Sequence, residues 1–155
     1  MALEIERKYL VHPEHLPPLE NGREFIQGYL CETPEIRFRI TDTQTIVTIK
    51  QILGPGERHE YEFVPRKGID ADELEHLKTI ALWPPLRKIR YKVPFEGQLW
   101  EIDIYQDENA GLMTCETELP SRDHPFTLPP WAGEEITSDG RYANIRLTQS
   151  PLSKR

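Results

Sequence analysis

Apolar and polar residues alternate almost one for one along eight segments of this chain: 3-11, 24-31, 35-41, 44-52, 58-65, 86-95, 98-106 and 112-120. A period of two is the mark of an extended strand, whose successive side chains point to opposite faces. The segments are rich in Ile, Val, Tyr, Phe and Thr, and Gly54-Pro55-Gly56-Glu57 and Glu96-Gly97-Gln98 supply turn chemistry between them. The spacing therefore predicts antiparallel strands joined as hairpins, in a sheet or barrel. Helical spacing interrupts this once in mid-chain, where Leu74, Leu77 and Ile80 or Ala81 recur over 69-82 behind Asp70 as N-cap and ahead of Trp83-Pro84-Pro85. A short helix is predicted within 137-147, opening near Ser138 or Asp139, and 150-155 reads as a loose tail.

The polar face of these strands is charged, and charged in an ordered way. Taking residues two apart, one strand presents Glu4, Glu6 and Lys8; others present Arg37 and Arg39, then Lys50, then Glu60 and Glu62. Lys88, Arg90 and Lys92 follow on one strand, Glu101 and Asp103 on the next, Glu116 and Glu118 on the last. A solvated face is normally diluted with Ser, Thr, Asn and Gln, whereas like charges on one face repel and need compensation. Leaving Lys92 aside, eight acids stand against six bases. If the sheet closes with this face inward, acidic and basic sectors confront each other across a water-filled lumen. The acid pairs suit a hard divalent cation, Mg²⁺ or Mn²⁺, and the base pairs suit an anion that takes bidentate arginine contacts. A metal-chelated polyphosphate satisfies both. Periodicity equally allows the inverse barrel, charged outside and apolar within, as in lipocalin-like folds.

Composition narrows the classes. The 155 residues, 37% hydrophobic and 29% charged, fit one soluble domain over 1-155, with no long apolar run to cross a membrane. The acids and prolines of residues 1-20 do not read as a signal peptide, so the expectation is a cytoplasmic protein. A net charge of -7 argues against nucleic acid and anionic membranes as partners. Cys31 and Cys115 have neither a CxxC partner nor paired histidines and read as buried thiols.

The ordered set of Glu4-x-Glu6-x-Lys8, Arg37-x-Arg39, Lys50, Glu60-x-Glu62, Lys88-x-Arg90-Tyr91, Glu101-x-Asp103 and Glu116-x-Glu118 spans nearly the whole chain. With the closing segment 131-147, it resembles the CYTH superfamily, the triphosphate tunnel metalloenzymes. The resemblance implies a mainly β fold, α+β by content: an eight-stranded antiparallel closed tunnel barrel with a few peripheral helices and its charged faces inward. It implies metal ligation by Glu4, Glu6, Glu116 and Glu118, with Glu60, Glu62 and Asp103 as further ligands or supporting acids. It implies phosphate binding by Lys8, Arg37, Arg39, Lys50, Lys88 and Arg90, and positioning or activation of the attacking water by Lys8 and Tyr29. Tyr29 reads as well as a packing aromatic. The activity implied is metal-dependent hydrolysis of a small-molecule triphosphate, foremost inorganic tripolyphosphate, with nucleoside triphosphates as further substrates. Class IV adenylate cyclase, thiamine triphosphatase and a non-catalytic polyphosphate-binding module are the alternatives. The outer apolar faces then call for cover by helices or by a second copy, which leaves a homodimer open.

Overall fold

The structure is a computed structural model and describes residues 2-63 and 65-155. Its strands are β1 (Ala2–Val11), β2 (Arg23–Cys31), β3 (Glu35–Ile40), β4 (Gln44–Gly54), β5 (Glu57–Glu62), β6 (Arg66–Lys67), β7 (Leu86–Phe95), β8 (Gln98–Tyr105), β9 (Met113–Glu118) and β10 (Ala132–Glu135). Eight of them close into a ring in the order β1-β5-β4-β3-β2-β7-β8-β9, with β9 pairing back onto β1. Each neighbouring pair is antiparallel, as the hairpin spacing predicted. Short β6 adds to β4 and short β10 to β1, outside the ring. The predicted strand 58-65 ends earlier, at Glu62, and its Val64 lies outside the described residues. Closure gives both edges of each ring strand a partner, which removes the exposed edge of an open sheet.

Two turns explain the local path. Glu96 and Gly97, with φ of 46° and 78°, join β7 to β8, the doubly left-handed connection that suits the twist of a tight hairpin. Gly56, at φ 70°, brings its carbonyl to the Glu6 amide at 2.9 Å, and a Cβ there would lie 2.4 Å from the Glu6 carbonyl oxygen. That close approach is how β1 passes from β5 to β10 along a single edge.

The charged faces turn inward, so the hydrophobic core lies outside the wall. Trp100 and Ile102 on β8, Cys115 on β9, Tyr9 on β1 and Trp131 form one buried cluster under Leu16, Leu19 and Phe126. Their alternation with Glu101, Asp103 and Glu116 leaves them no other face. A second cluster, Leu86, Tyr105, Leu112 and Leu147, lies one step along the inward face beyond Lys88 and Asp103 and makes an apolar floor. Leu147 comes from helix α2 (Asn144–Gln149), after helix α1 (Ala71–Ile80) in mid-chain. Burying each large apolar side chain contributes roughly 1.5–3 kcal/mol. Not all the outer surface is covered: Leu3, Leu53, Tyr61 and Phe63 are about half exposed on the β1, β4 and β5 side.

Helix α1 forms where predicted, with the Asp70 carboxylate accepting from the Glu73 amide at 2.8 Å, yet none of its residues is buried. The C-terminal segment differs from expectation. Ala143 is extended and divides it into a 3₁₀ turn at Gly140–Tyr142, capped by Asp139, and α2. The tail is not loose: Leu152 packs onto the floor cluster and donates its amide to Asn109 Oδ1 at 3.0 Å. Among the described residues no helix is long and apolar enough to cross a membrane.

Candidate active site

The inward faces enclose a cavity of about 580 Å³, lined from the strands by Glu4, Glu6, Lys8, Tyr29, Arg37, Arg39, Lys50, Arg58, Glu60, Glu62, Arg90, Glu101, Glu116 and Glu118. Glu35, Ile52 and residues 54–57 add to this wall, and residues 136–140 and 142–145 complete the lining. All but two of the predicted site residues thus share one space. The two are Lys88 and Asp103, which lie behind the lining between Arg90 and the apolar floor.

Register explains which charges are answered and which are not. Across neighbouring strands Glu4 stands opposite Arg58, Lys8 opposite Glu116, Lys50 opposite both Glu35 and Glu60, and Arg90 opposite Asp103. The like-charged strand faces of the sequence are therefore mostly complemented by their neighbours. The exceptions are grouped. Glu6 is opposite Glu118, and Glu101, with Lys92 against it on β7, is opposite Glu116 on β9, which makes one acidic sector on β1, β9 and β8. Elsewhere in the ring Arg37 pairs with Tyr29 and Thr48, and Arg39 with Gln27 and Ile46, so no acid stands opposite either arginine in register.

In the acidic sector, Arg58 Nη2 bridges Glu4 and Glu6 at 2.8 and 2.7 Å. Arg90 reaches Glu101 at 3.1 Å and Glu116 at 2.8 Å. The acids still outnumber these partners. Burial and the neighbouring Glu116 carboxylate push Glu6 up to about 7. Burial, Glu4 and Glu101 also raise Glu118, which has no ion pair among the described residues. Burial acts on Glu4 too, but Lys50 and Arg58 outweigh it and hold that carboxyl below its usual range. Glu116 is also buried, and Arg90 brings it down to about 2. Glu4 Oε2 is buried and has no hydrogen-bond partner among the described residues. Among the described residues no three acids, histidines or cysteines are grouped as a ready metal-ligand set, because Arg58 and Arg90 sit between the carboxylates.

The basic sector is poor in anions. Burial together with Arg37 and Arg90 lowers Arg39 to about 9, and burial with Arg37 and Arg58 lowers Lys50 to about 7. Arg37 Nε is buried and unpartnered. Arg39 is held by the Phe25 ring, 4.6 Å from its guanidinium carbon, and by Nε donation to Gln27 Oε1 at 3.0 Å. The Gln27 amide also donates to the Tyr29 hydroxyl at 2.8 Å. Burial and the nearby Glu35 charge push Tyr29 well above its ordinary value, so its hydroxyl keeps its proton, and in the structure it accepts from Gln27. Lys8 Nζ donates to the Tyr142 carbonyl at 2.9 Å, which ties β1 to the C-terminal segment.

Asp103 was expected as a metal ligand or supporting acid, and only the second role fits its surroundings. Lys88 Nζ donates to it at 2.7 Å, and Arg90 donates twice, at 2.8 and 2.9 Å. Despite burial, Arg90 and Lys88 hold its carboxyl far below the usual range. Lys88, fully buried and drawn down to about 7 by that burial, does not reach the cavity surface and braces Asp103 instead of a phosphate. The sequence reading passed over Arg58, Glu35 and Gln27. Arg58 and Glu35 were findable, lying two residues before Glu60 and Arg37 on the same inward faces; Gln27 stands two before Tyr29.

No protein-family model matches the chain. Among curated proteins, the inorganic triphosphatase of Acetivibrio thermocellus is 35% identical over 153 residues, 97% of this chain and 96% of that protein. The inorganic triphosphatase of Nitrosomonas europaea is 38% identical, covering 95% of this chain and 97% of that one. Among solved structures, that of the inorganic triphosphatase NE1496 matches with a TM-score of 0.69 at 36% identity over 97% of each chain. Sequence, ring topology and the inward charged faces agree: the chain belongs to the inorganic triphosphatase family of the CYTH superfamily.

Proposed function

We propose that this protein hydrolyses inorganic tripolyphosphate to pyrophosphate and phosphate with Mg²⁺ or Mn²⁺. The observation that carries the reading is the register that leaves Glu6 against Glu118 and Glu101 against Glu116, while Arg37 and Arg39 face no acid across the same cavity. A sector short of cations opposite a sector short of anions is the complement of a metal-chelated polyanion. The acidic donor set is all carboxylate oxygen, with Glu4 Oε2 unpartnered, and so fits a hard divalent ion held by Glu4, Glu6, Glu116 and Glu118. Glu60 and Glu62, at the outer end of β5, are further candidates. When bound, the ion supplies charge neutralisation at the phosphate oxygens.

The chain's own groups do the rest. Arg37, Arg39 and Lys50 hold the phosphate oxygens and stabilise charge on the transferring group, the main task in phosphoryl transfer. Arg90, braced by Asp103 and Lys88, extends this contact on the other side. Lys8 and Tyr29 position the attacking water near the terminal phosphorus, a single hydrogen bond to its oxygen leaving a lone pair free for the attack. Water adds its oxygen there as the bridging P–O bond breaks; pyrophosphate leaves with the bonding electron pair, and the proton lost by the water passes to solvent or to the released phosphates.

The test is product analysis with tripolyphosphate, ATP, thiamine triphosphate and pyrophosphate in Mg²⁺ or Mn²⁺, then after EDTA. Tripolyphosphate is expected to be cleaved fastest, with little cyclic AMP from ATP, and with activity lost to EDTA and restored by the ion. Cyclic AMP as the main product, or full turnover in a verified metal-free preparation, overturns the reading.

A further inference from the structure

Arg58 occupies an unusual position for a basic residue in this barrel. It projects from β5, opposite Glu4 in register, and a single nitrogen, Nη2, bridges one oxygen of Glu4 and one of Glu6. One positive centre between two carboxylates of the same strand is the arrangement a divalent cation would take. The pairing is also incomplete. Among the described residues Arg58 Nε is buried without a hydrogen-bond partner, and so is Glu4 Oε2. A guanidinium built into a permanent pair ordinarily uses its planar fork, with parallel bonds to both oxygens of one carboxylate. Arg90 does so with Asp103 and adds Glu101 and Glu116, which fixes it in place. Of the two arginines among the acids, Arg58 is the one with fewer bonds to give up.

We propose that Arg58 is a resident counter-ion in the Glu4/Glu6 cation seat, displaced from these oxygens when a divalent ion binds and released into the cavity it already lines. The inference rests on the reading of Glu4 and Glu6 as cation ligands. It accounts for the absence, among the described residues, of an assembled ligand set in a lumen so rich in carboxylate. It also gives the metal-free protein a way to keep these acids together: Arg58 offsets the repulsion among Glu4, Glu6 and Glu116, and its charge is well retained because those same acids outweigh the effect of burial. On departure its long stem leaves the guanidinium on the same side of the wall as Arg37 and Lys50, where a polyphosphate would meet it.

Mn²⁺ binding without substrate, followed by calorimetry and by the loss of the free-ion electron paramagnetic resonance signal, tests this in the wild type, Arg58→Gln and Glu6→Gln. Arg58→Gln is expected to bind Mn²⁺ about tenfold more tightly, the gain when the competent arrangement is occupied only about one time in ten in the wild type. Glu6→Gln is expected to lose binding. Unchanged or weaker binding in Arg58→Gln, with binding still lost in Glu6→Gln, overturns the competition and leaves the seat standing. Wild-type binding in Glu6→Gln, or no binding in any of the three, overturns both. Should Arg58→Gln fail to fold, the arginine Nε–Hε signals of the wild type under Mg²⁺ titration decide, with Arg58 assigned through Arg58→Lys. The Arg58 signal is expected to shift while that of Arg90 stays; an Arg58 signal unmoved at saturating Mg²⁺ overturns the proposal.

Discussion

Around Asp103 every charge is answered: Lys88 and Arg90 between them place three hydrogen bonds on its two oxygens, and all three residues are buried. Around Glu4 and Glu6 the count falls short. One arginine nitrogen serves two carboxylates, Glu4 Oε2 has no partner, and Glu118 and Glu116 add further negative charge. Both regions are carboxylates and bases on the inward faces of the same ring. The difference lies in completeness of bonding, and it is the difference between a brace and the binding site proposed above. Desolvated charges are tolerated where geometry repays their lost hydration; on the function proposed above, the partner missing from the second cluster is the cation.

The largest expected effect comes from breaking the complete cluster. Asp103→Asn leaves Lys88 and Arg90 buried beside a neutral group and should cost about 3–5 kcal/mol, the usual penalty for removing one partner of a buried pair. Thermal unfolding should drop by on the order of 10 °C. An unchanged melting temperature would mean that Asp103 is no brace. Within the incomplete cluster, Glu6→Gln should spare the fold, because it relieves repulsion with Glu116 and Glu118, and should lower turnover by at least about 10²-fold as metal binding is lost. Arg39→Ala on the opposite wall should weaken tripolyphosphate binding and also lower turnover, by about 10²-fold in kcat/KM, since charge on the phosphoryl oxygens is stabilised in both ground and transition states. Wild-type kinetics in both variants would remove these walls from the site.

The smallest effect is expected at an exposed pair. Arg87 holds the Asp107 carboxyl below its ordinary value by hydrogen bonds at about 3.0 Å. A carboxyl lowered on folding stabilises the protein above its unfolded pKa, and that contribution fades as the pH falls through the lowered value. Solvent screening limits it to under about 1 kcal/mol. Comparing Asp107→Asn with the wild type, the difference in stability should vanish in acid; a gap that widens with acidification would contradict the pairing.

Much of this was legible from alternation. Because the side-chain period of a strand is two, the sequence alone grouped Glu4 with Glu6 and Lys8, Arg37 with Arg39, and Glu116 with Glu118, and no rearrangement of the fold can separate such sets. Asp70 and the turn at Glu96-Gly97 were equally readable, since capping and left-handed turns depend on a few adjacent residues. The same alternation would have yielded Arg58 and Glu35 had the inward faces been followed to their ends. Tertiary structure alone decided the rest, because it depends on distance between strands. Ring closure put the charged faces inside and the hydrophobic core outside the wall, a choice that periodicity leaves even. Cross-strand register then answered most charges, left Glu6 facing Glu118, and buried Asp103 in a pair of bases while its neighbour Glu101 lines the cavity. Two carboxylates two residues apart share a face and a charge, but how deep each lies along the tunnel, and which base reaches it, is set by the strands on either side.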